Sequence, residues 1–185
     1  MGLNSSQPRQ RNGDVRITNC QFSGNQAKAF SVNDSLNYRQ AGFGAAIATE
    51  NSFDTSLPWI RFAMTNSTVA NNVHVAGASN LQGSGAVHLQ GCEEVYVANS
   101  IFWGNTGASD VESDQINLGS VDRSGNPVTR RVTNCCIQGL GVSPPGLDTA
   151  TNIATDPKFI DAAGRNFRLG AGSSCIDRGL NIVDI

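Results

Sequence analysis

The sequence has few charged residues and very little lysine, and both features limit the functions open to it. Charged residues make up 15% of the 185-residue chain, the formal net charge is −2, and the only lysines are Lys28 and Lys158. A nucleic-acid-binding domain neutralises phosphates with a basic excess, which this sequence lacks. No apolar run reaches the roughly 18 residues that a membrane-spanning helix needs. We therefore expect no nucleic-acid partner and no membrane span.

Cysteine usage shows no regular metal-binding or disulfide pattern. The cysteines are Cys20, Cys92, Cys135, Cys136 and Cys175, and no CxxC spacing occurs. An odd number cannot form a closed disulfide framework. We interpret the thiols as small buried apolar residues, with one disulfide or a zinc site as alternatives. The N-terminal segment is polar and has no signal-peptide core, so the signal of a secreted protein would lie outside this sequence.

Glycine and asparagine are abundant and punctuate an internal repeat. The chain contains 20 Gly and 19 Asn, which disfavour helix and favour tight turns. Four segments align without gaps: 15–25, 62–72, 95–105 and 130–140. A shorter set interleaves with them: 42–50, 83–91 and 114–119. Repeats of this size predict a solenoid, and their short alternating segments predict that it is all-β.

The alignment also predicts which side chains stack in columns. One inward column is Ile17, Met64, Val97 and Val132, and a second is Phe22, Val69, Phe102 and Ile137. In the shorter set, the inward columns are Ala46, Val87 and Ile116, then Ala48, Leu89 and Leu118. Stacking would bury apolar faces that no single unit can bury alone. Arg130 falls at an inward position, so either its strand is displaced or the stack is ending.

One asparagine recurs in every long segment, and we interpret this register as a structural ladder. Its members are Asn19, Asn66, Asn99 and Asn134. At a sharp bend, an inward asparagine would bond the backbone and the asparagine of the next unit, and it tolerates left-handed dihedrals. The alternative is a set of amides that contact glycans. Asn25, Asn72 and Asn105 would form a second bend column.

These segments resemble two groups of bacterial surface proteins. NCQFSGN and GFGAAI are similar to the FxxN and GGAI repeats of polymorphic-outer-membrane-type proteins. NSIFWGNTG, DQINL, ATDPKFID and NFRLGAGSSCIDRG resemble the C-terminal part of choice-of-anchor Q domain proteins, with Gln115 at the Q position. The resemblance covers residues 15–180, and it implies a right-handed parallel β-helix on a secreted or cell-surface protein. It implies no single reaction.

Repeats and resemblance together predict an all-β, right-handed parallel β-helix of about five coils with a C-terminal closing coil. The predicted parts are a polar N-terminal segment at 1–14, coils at 15–140, and a terminal coil with a C-terminal cap at 141–185. Members of these groups are usually longer, so we expect a fragment or a short member. At about 4.8 Å per coil, the stack would be roughly 24 Å long. Uncapped ends would expose strand edges and allow end-to-end self-association.

One acidic cluster is the main candidate for chemistry. If the segment is extended, Asp110, Glu112 and Asp114 would share one face. Such carboxylates would suit calcium as a cofactor, or glycosidase catalysis. A solvated loop is the simpler interpretation. His88 would face outward in a column with Ile47 and Asn117, either as a catalytic base or as an ordinary surface histidine.

Candidate ligand-binding residues lie in an outward column that contains Arg16, Tyr96 and Arg131, with Ala63 between them. The tyrosine ring would stack on a sugar while guanidinium groups pair with carboxylates of an acidic polysaccharide. A solvated face is the alternative. Trp103 would be a sugar platform or a cover over the core.

The sequence thus favours a non-catalytic extracellular or cell-surface module. Such a module would bind a polysaccharide or cell-surface glycan, or act as an adhesive or structural scaffold. One alternative is a polysaccharide lyase or glycoside hydrolase that acts on acidic polysaccharide. Another is a fibre subunit that self-assembles by end-to-end coil stacking.

Overall fold

Short strands dominate the computed structural model, which describes residues 13–28, 44–49, 60–75, 85–107, 111–118, 129–141 and 147–181. The strands are β1 (Gly13–Thr18), β2 (Gln21–Ser23), β3 (Gln26–Lys28), β4 (Ile47–Thr49), β5 (Ile60–Thr65), β6 (Thr68–Ala70), β7 (Val73–Val75), β8 (Val87–Leu89), β9 (Cys92–Ala98), β10 (Ile101–Trp103), β11 (Ile116–Asn117), β12 (Thr129–Thr133), β13 (Cys136–Ile137), β14 (Phe159–Asp161) and β15 (Asn166–Leu169), and the helix is α1 (Val111–Gln115). The first strand thus begins at Gly13 rather than at Val15. Among these residues, no helix is long and apolar enough to cross a membrane.

Strands from successive repeats pair in parallel and build stacked sheets. The first sheet has the order β1-β5-β9-β12, and the second has the order β2-β6-β10-β13. Both sheets keep the register of the four aligned segments. The two predicted apolar columns are confirmed: Ile17, Met64, Val97 and Val132 in the first sheet, and Phe22, Val69, Phe102 and Ile137 in the second.

In the third sheet, β4-β8-β11, the predicted register between β8 and β11 is confirmed, but β4 is shifted by one residue. It aligns Ile47, Val87 and Ile116, with Thr49 beside Leu89. The gapless alignment had predicted Ala46 and Ala48 in these positions. The observed register turns the larger Ile47 inward and leaves Ala48 exposed, which removes more apolar surface from water.

Left-handed asparagines form the bend between the first and second sheets. The four asparagines of the repeat register have φ angles of 54°, 50°, 52° and 52° in chain order. Each lies one residue after a strand of the first sheet and two residues before a strand of the second. Asparagine adopts this conformation at less cost than most residues. The sharp turn therefore explains why one residue type recurs there.

The core lies between the three sheets, and burial decreases toward β1. Phe62, Met64, Leu89 and Phe102 are each at most 1% exposed. Val15 shares an inward column with Phe62, yet Val15 is 37% exposed. Among the described residues, β1 pairs with β5 alone. This strand is therefore an edge of the stack within the described residues.

Arg130 keeps the inward register at the other side of the first sheet. It pairs with Val95 in the column that also contains Phe62, so the strand is not displaced. Its Nε and Nη2 atoms are buried with no hydrogen-bond partner among the described residues. This burial lowers the pKa of the guanidinium group. The arginine lies on β12, where the described first sheet ends.

Beyond the fourth repeat, the strand pairing changes. Ile153 still makes a parallel bridge to Cys136, but β14 and β15 pair antiparallel. Phe159 and Phe167 pack edge to face, with ring centroids 5.0 Å apart. The described C-terminal part therefore contains a hairpin followed by turns.

Candidate functional site

An outward column of the first sheet contains Arg16, Ala63, Tyr96 and Arg131 in the predicted register. We call these four residues the basic-aromatic column. The guanidinium carbon of Arg131 lies 5.6 Å from the centroid of the Tyr96 ring. This distance is within the cation–π range. Because parallel strands are about 4.8 Å apart, the column extends about 14 Å across the sheet.

The adjacent outward column places carboxylates beside two arginines. Arg16 Nη2 is 3.8 Å from Asp14 Oδ2, and Arg61 Nε is 3.0 Å from Glu94 Oε2. The Arg61–Glu94 contact is an ion pair and not a hydrogen bond, because Arg61 Nε has no hydrogen-bond partner among the described residues. Exposed pairs of this kind stabilise a fold only weakly. An anionic ligand would therefore compete with them at modest cost.

The acidic cluster has a different conformation from the predicted one. Glu112 and Asp114 lie on α1 rather than on an extended segment, and Asp110 lies outside the described residues. Glu112 accepts hydrogen bonds from Gly141 N and, at 3.2 Å, from Leu147 N. Asp114 Oδ2 accepts from Gly107 N at 2.8 Å.

The two carboxylates of α1 thus bind backbone amides in different segments. Glu112 is 3% exposed and Asp114 is 8% exposed, so both are largely withdrawn from solvent. Within the described ranges, no group of three or more His, Cys, Asp or Glu side chains could hold a metal ion. The described geometry therefore gives both carboxylates a structural role.

His88 and Trp103 lie apart from the basic-aromatic column. His88 is on β8, where it lies beside Ala48 and Asn117. The prediction that Asn117 is its neighbour is confirmed, and the prediction that Ile47 is its neighbour is wrong. The ring is only 9% exposed, and its Nε2 is 3.4 Å from Gln90 Oε1. Trp103 is half-buried on β10 and pairs with Ala70 in the second sheet. The structure therefore does not bring these residues together with the arginines and Tyr96.

The asparagines of the repeat register are not inward, which corrects the sequence prediction. Asn19 and Asn66 are exposed, and Asn99 and Asn134 are half-buried. Asn99 Nδ2 does donate to Asn66 Oδ1 at 3.1 Å. In the three later repeats the residue after the bend is buried instead, at Ser67, Ser100 and Cys135, and Ser100 Oγ accepts from Ser67 N at 3.2 Å. The asparagine backbones thus turn the chain, while their side chains lie outside the core.

The buried ladder lies at the second bend instead. Asn72 Oδ1 accepts from the backbone N and Nδ2 of Asn25 at 3.0 and 2.9 Å. Asn105 Oδ1 accepts from the same two atoms of Asn72 at 3.0 and 2.9 Å. Gln115 Oε1 takes the next place, accepting from Asn105 N at 3.2 Å and from Nδ2 at 2.8 Å. We call these four residues the buried amide ladder.

A groove of about 460 Å³ separates the first bend from the C-terminal turns. Its walls include Asn66, Asn99 and Asn134 on one side and residues 177–181 on the other. Asn99 Oδ1 accepts from Leu180 N at 2.9 Å, and its Nδ2 donates to Leu180 O at 2.8 Å. Asn134 Nδ2 donates to Arg178 O at 3.0 Å. Asn99 and Asn134 thus hold the C-terminal segment, and we call this space the C-terminal groove.

The groove contains a pair of thiols that no sequence pattern indicates. Cys136 and Cys175 both line it, although they are distant along the chain. Donation from Cys136 lowers the pKa of Cys175 to about 7, while the same contact and burial raise the pKa of Cys136. Burial raises the pKa of Cys135 to about 12, although backbone hydrogen bonds at Ser100 and Thr133 act in the opposite direction. Among the described cysteines, all are free thiols.

Comparison of the chain with protein-family models, with curated proteins and with solved structures finds no match. Functional inference therefore depends on the geometry described above and on the resemblance of the repeats.

Proposed function

We propose that the chain is a right-handed parallel β-helix module that binds acidic polysaccharide through its basic-aromatic column, on a secreted or cell-surface protein. The stacked parallel sheets and their repeating bends support the solenoid architecture. A parallel strand connection within one sheet is right-handed in nearly all folds. The similarity to polymorphic-outer-membrane-type and choice-of-anchor Q domain proteins supports the extracellular location.

The observation that carries the proposal is the placement of the Arg131 guanidinium over the Tyr96 ring on an open sheet face. A tyrosine ring offers an apolar surface to the C–H face of a sugar, and its hydroxyl group remains in water. A guanidinium group pairs with a carboxylate through two parallel hydrogen bonds. The two groups lie on adjacent strands, so one uronic acid residue would contact both.

Arg16 extends the same surface along the stack. It lies at the opposite end of the basic-aromatic column, about 14 Å from Arg131 by strand spacing. A linear acidic polymer running across the strands would reach both arginines, whereas a monosaccharide would reach only one. The proposal therefore predicts stronger binding to polymer or long oligosaccharides than to the free uronic acid.

The experiment that tests the proposal measures binding and turnover together. The chain is incubated with polygalacturonate, with a neutral dextran, and with or without EDTA, and soluble products are analysed by mass spectrometry. We expect retention on the acidic polymer, no retention on dextran and no released products. Added salt should weaken retention, because the contacts on this face are exposed charges.

Variants locate the binding surface. Tyr96→Ala and Arg131→Gln should each weaken binding about 5- to 20-fold, the loss expected from one ring or one charge contact. Arg168→Gln removes the same charge from exposed β15, outside the column, and should bind like the wild type. Equal affinity of all three variants would overturn the proposed surface. Released oligosaccharides would instead support the lyase or hydrolase alternative.

A further inference from the structure

Two cysteines from separate elements meet in the C-terminal groove. Cys136 begins β13 and is buried, and Cys175 lies in the C-terminal turns and is partly exposed. Both side chains line this groove, and the interaction between the two thiols shifts the pKa of each. Cys136 Sγ has a second acceptor in Thr155 O, at 3.2 Å. The pair joins the stacked sheets to a segment 39 positions further along the chain.

We propose that Cys136 and Cys175 are a redox-modification site, which a low-molecular-weight disulfide converts to an intramolecular disulfide. The Cys175 thiolate attacks one sulfur of the reagent, whose S–S bond breaks and releases one thiol. Cys136 then loses its proton and attacks Cys175 Sγ of the mixed disulfide, which releases the second thiol. Two electrons pass to the reagent, and the two cysteine protons end on the two released thiols.

The contacts assign the order of the two attacks. Cys175 is reachable from the groove, and the Cys136 thiol donates a hydrogen bond to its sulfur, which favours the thiolate. Cys136 is buried beneath it and reaches only a sulfur that is already attached to Cys175. Cys175 is therefore the attacking thiol, and Cys136 is the resolving thiol.

The neighbouring thiol, Cys135, also lines the groove, but its burial disfavours its reaction. It is 2% exposed, its Sγ donates to Thr133 O at 3.3 Å, and burial raises its pKa. Its place in the bend matches that of Ser67 and Ser100 in the earlier repeats. Cys135→Ser is therefore a matched control that this bend already accommodates.

Oxidation would attach the C-terminal segment covalently to β13. Residues 178–180 already contact Asn99 and Asn134 through side-chain amides. A bond from Cys136 to Cys175 would keep these contacts formed and would restrict the unfolded chain. We expect the thermal midpoint to rise by about 8–16 °C on oxidation, as a loop of this size predicts for a chain of this length.

The test treats the full chain with oxidised glutathione and maps peptides without reduction. We expect a peptide linked through Cys136 and Cys175 in both the wild type and Cys135→Ser. Cys136→Ala should instead hold glutathione at Cys175. Alkylation of Cys175 in the reduced wild type should reach half its maximal rate near pH 7, and Cys136→Ala should shift this midpoint upward, because the hydrogen bond to the thiolate is lost.

Three results would overturn the proposal. They are a Cys135–Cys136 linkage as the main product, intermolecular disulfides in its place, or no linkage in folded Cys135→Ser after equilibration with the oxidant. If Cys136→Ala fails to fold, the peptide map of the wild type and of Cys135→Ser still decides among these results. Near-ultraviolet circular dichroism establishes which variants are folded.

Discussion

Asn71 and Asn72 are adjacent, yet the first adopts the left-handed turn and donates its side-chain amide to Ala162 O, whereas the second binds neighbouring repeats with a buried side chain. Asn71 has a φ of 56°, whereas Asn72 is fully buried and makes hydrogen bonds to the repeats on both sides. Gly104 takes the left-handed role in the next repeat, and Asn105 again takes the buried role. Asparagine therefore stabilises this fold by two mechanisms, and substitutions should separate them.

Replacing Asn72 with alanine should lower the free energy of unfolding by about 2–4 kcal/mol. The change removes the acceptor of two Asn25 groups and the donor to Asn105, and it leaves buried polar atoms unsatisfied. Urea unfolding followed by circular dichroism measures the loss. The control is Asn25→Ala, which changes the exposed end of the same buried amide ladder and should cost less than about 1 kcal/mol. Equal losses for the two variants would contradict this role of burial.

At the scale of single elements, the bend between the first and second sheets also binds the C-terminal segment. Asn99 offers one acceptor and one donor to Leu180, which is the same pair that a neighbouring peptide group would offer. Gly179 lies close to the Asn99 side chain, so the C-terminal segment passes near it. The stability of this segment should therefore depend on one amide.

Asn99→Gly should release the C-terminal segment while keeping the bend. Glycine adopts the left-handed conformation freely, so the loss is confined to the two contacts with Leu180 and the one with Asn66. We expect amide hydrogen exchange at residues 178–181 to accelerate at least about tenfold, the factor that corresponds to roughly 1.4 kcal/mol.

Asn66→Gly is the matched variant for this measurement. It has the same backbone conformation and a side chain that contacts Asn99 rather than the segment. Exchange at residues 178–181 should remain within about threefold of the wild type. The same acceleration in both variants would show that the bend, and not the Asn99 amide, controls the segment.

How much of each element the sequence predicts depends on the spacing between its landmarks. From Asn19 to Phe22 and from Asn99 to Phe102 the spacing is constant, so the registers of the first two sheets follow from the alignment. The third sheet is joined to them by connections of unequal length, and nothing local indicates that Ile47 rather than Ala46 turns inward.

Two further features of the candidate sites cannot be predicted from local sequence patterns. Alternating carboxylates predict an extended face, but Asp114 is on α1, and its carbonyl oxygen accepts from Ala86 N at 2.8 Å in the third sheet. Close packing of Gly85 against that carbonyl leaves no room for a Cβ atom. The thiol pair of the C-terminal groove depends on a tertiary contact over 39 positions, which no motif marks.

At the scale of the whole molecule, the first sheet is open at β1 within the described residues. Its edge carries backbone groups that would pair with another strand, and Val15 adds exposed apolar surface. This surface supports the fibre alternative, in which copies stack end to end. We expect the sedimentation coefficient to rise reversibly with protein concentration.

Val15→Lys should reduce this association by placing a charge at the open edge. Val73→Lys is the control, because Val73 is equally exposed, at 37%, but lies on β7 rather than on the edge strand β1. Analytical ultracentrifugation compares the two variants with the wild type. A monomer at every concentration of the wild type would contradict end-to-end stacking through β1.

The docking of the C-terminal segment on the asparagine bend has a mechanical consequence. The amides of Asn99 and Asn134 lie on successive repeats and each binds a different point of the segment. A force that pulls the C-terminus away from the stack would break these contacts one after another. A force along the strands would load the many ladder hydrogen bonds of the sheets together. The sheets should therefore resist a force along the strands, and the C-terminal segment should detach at a lower force. A disulfide between Cys136 and Cys175 would prevent this detachment.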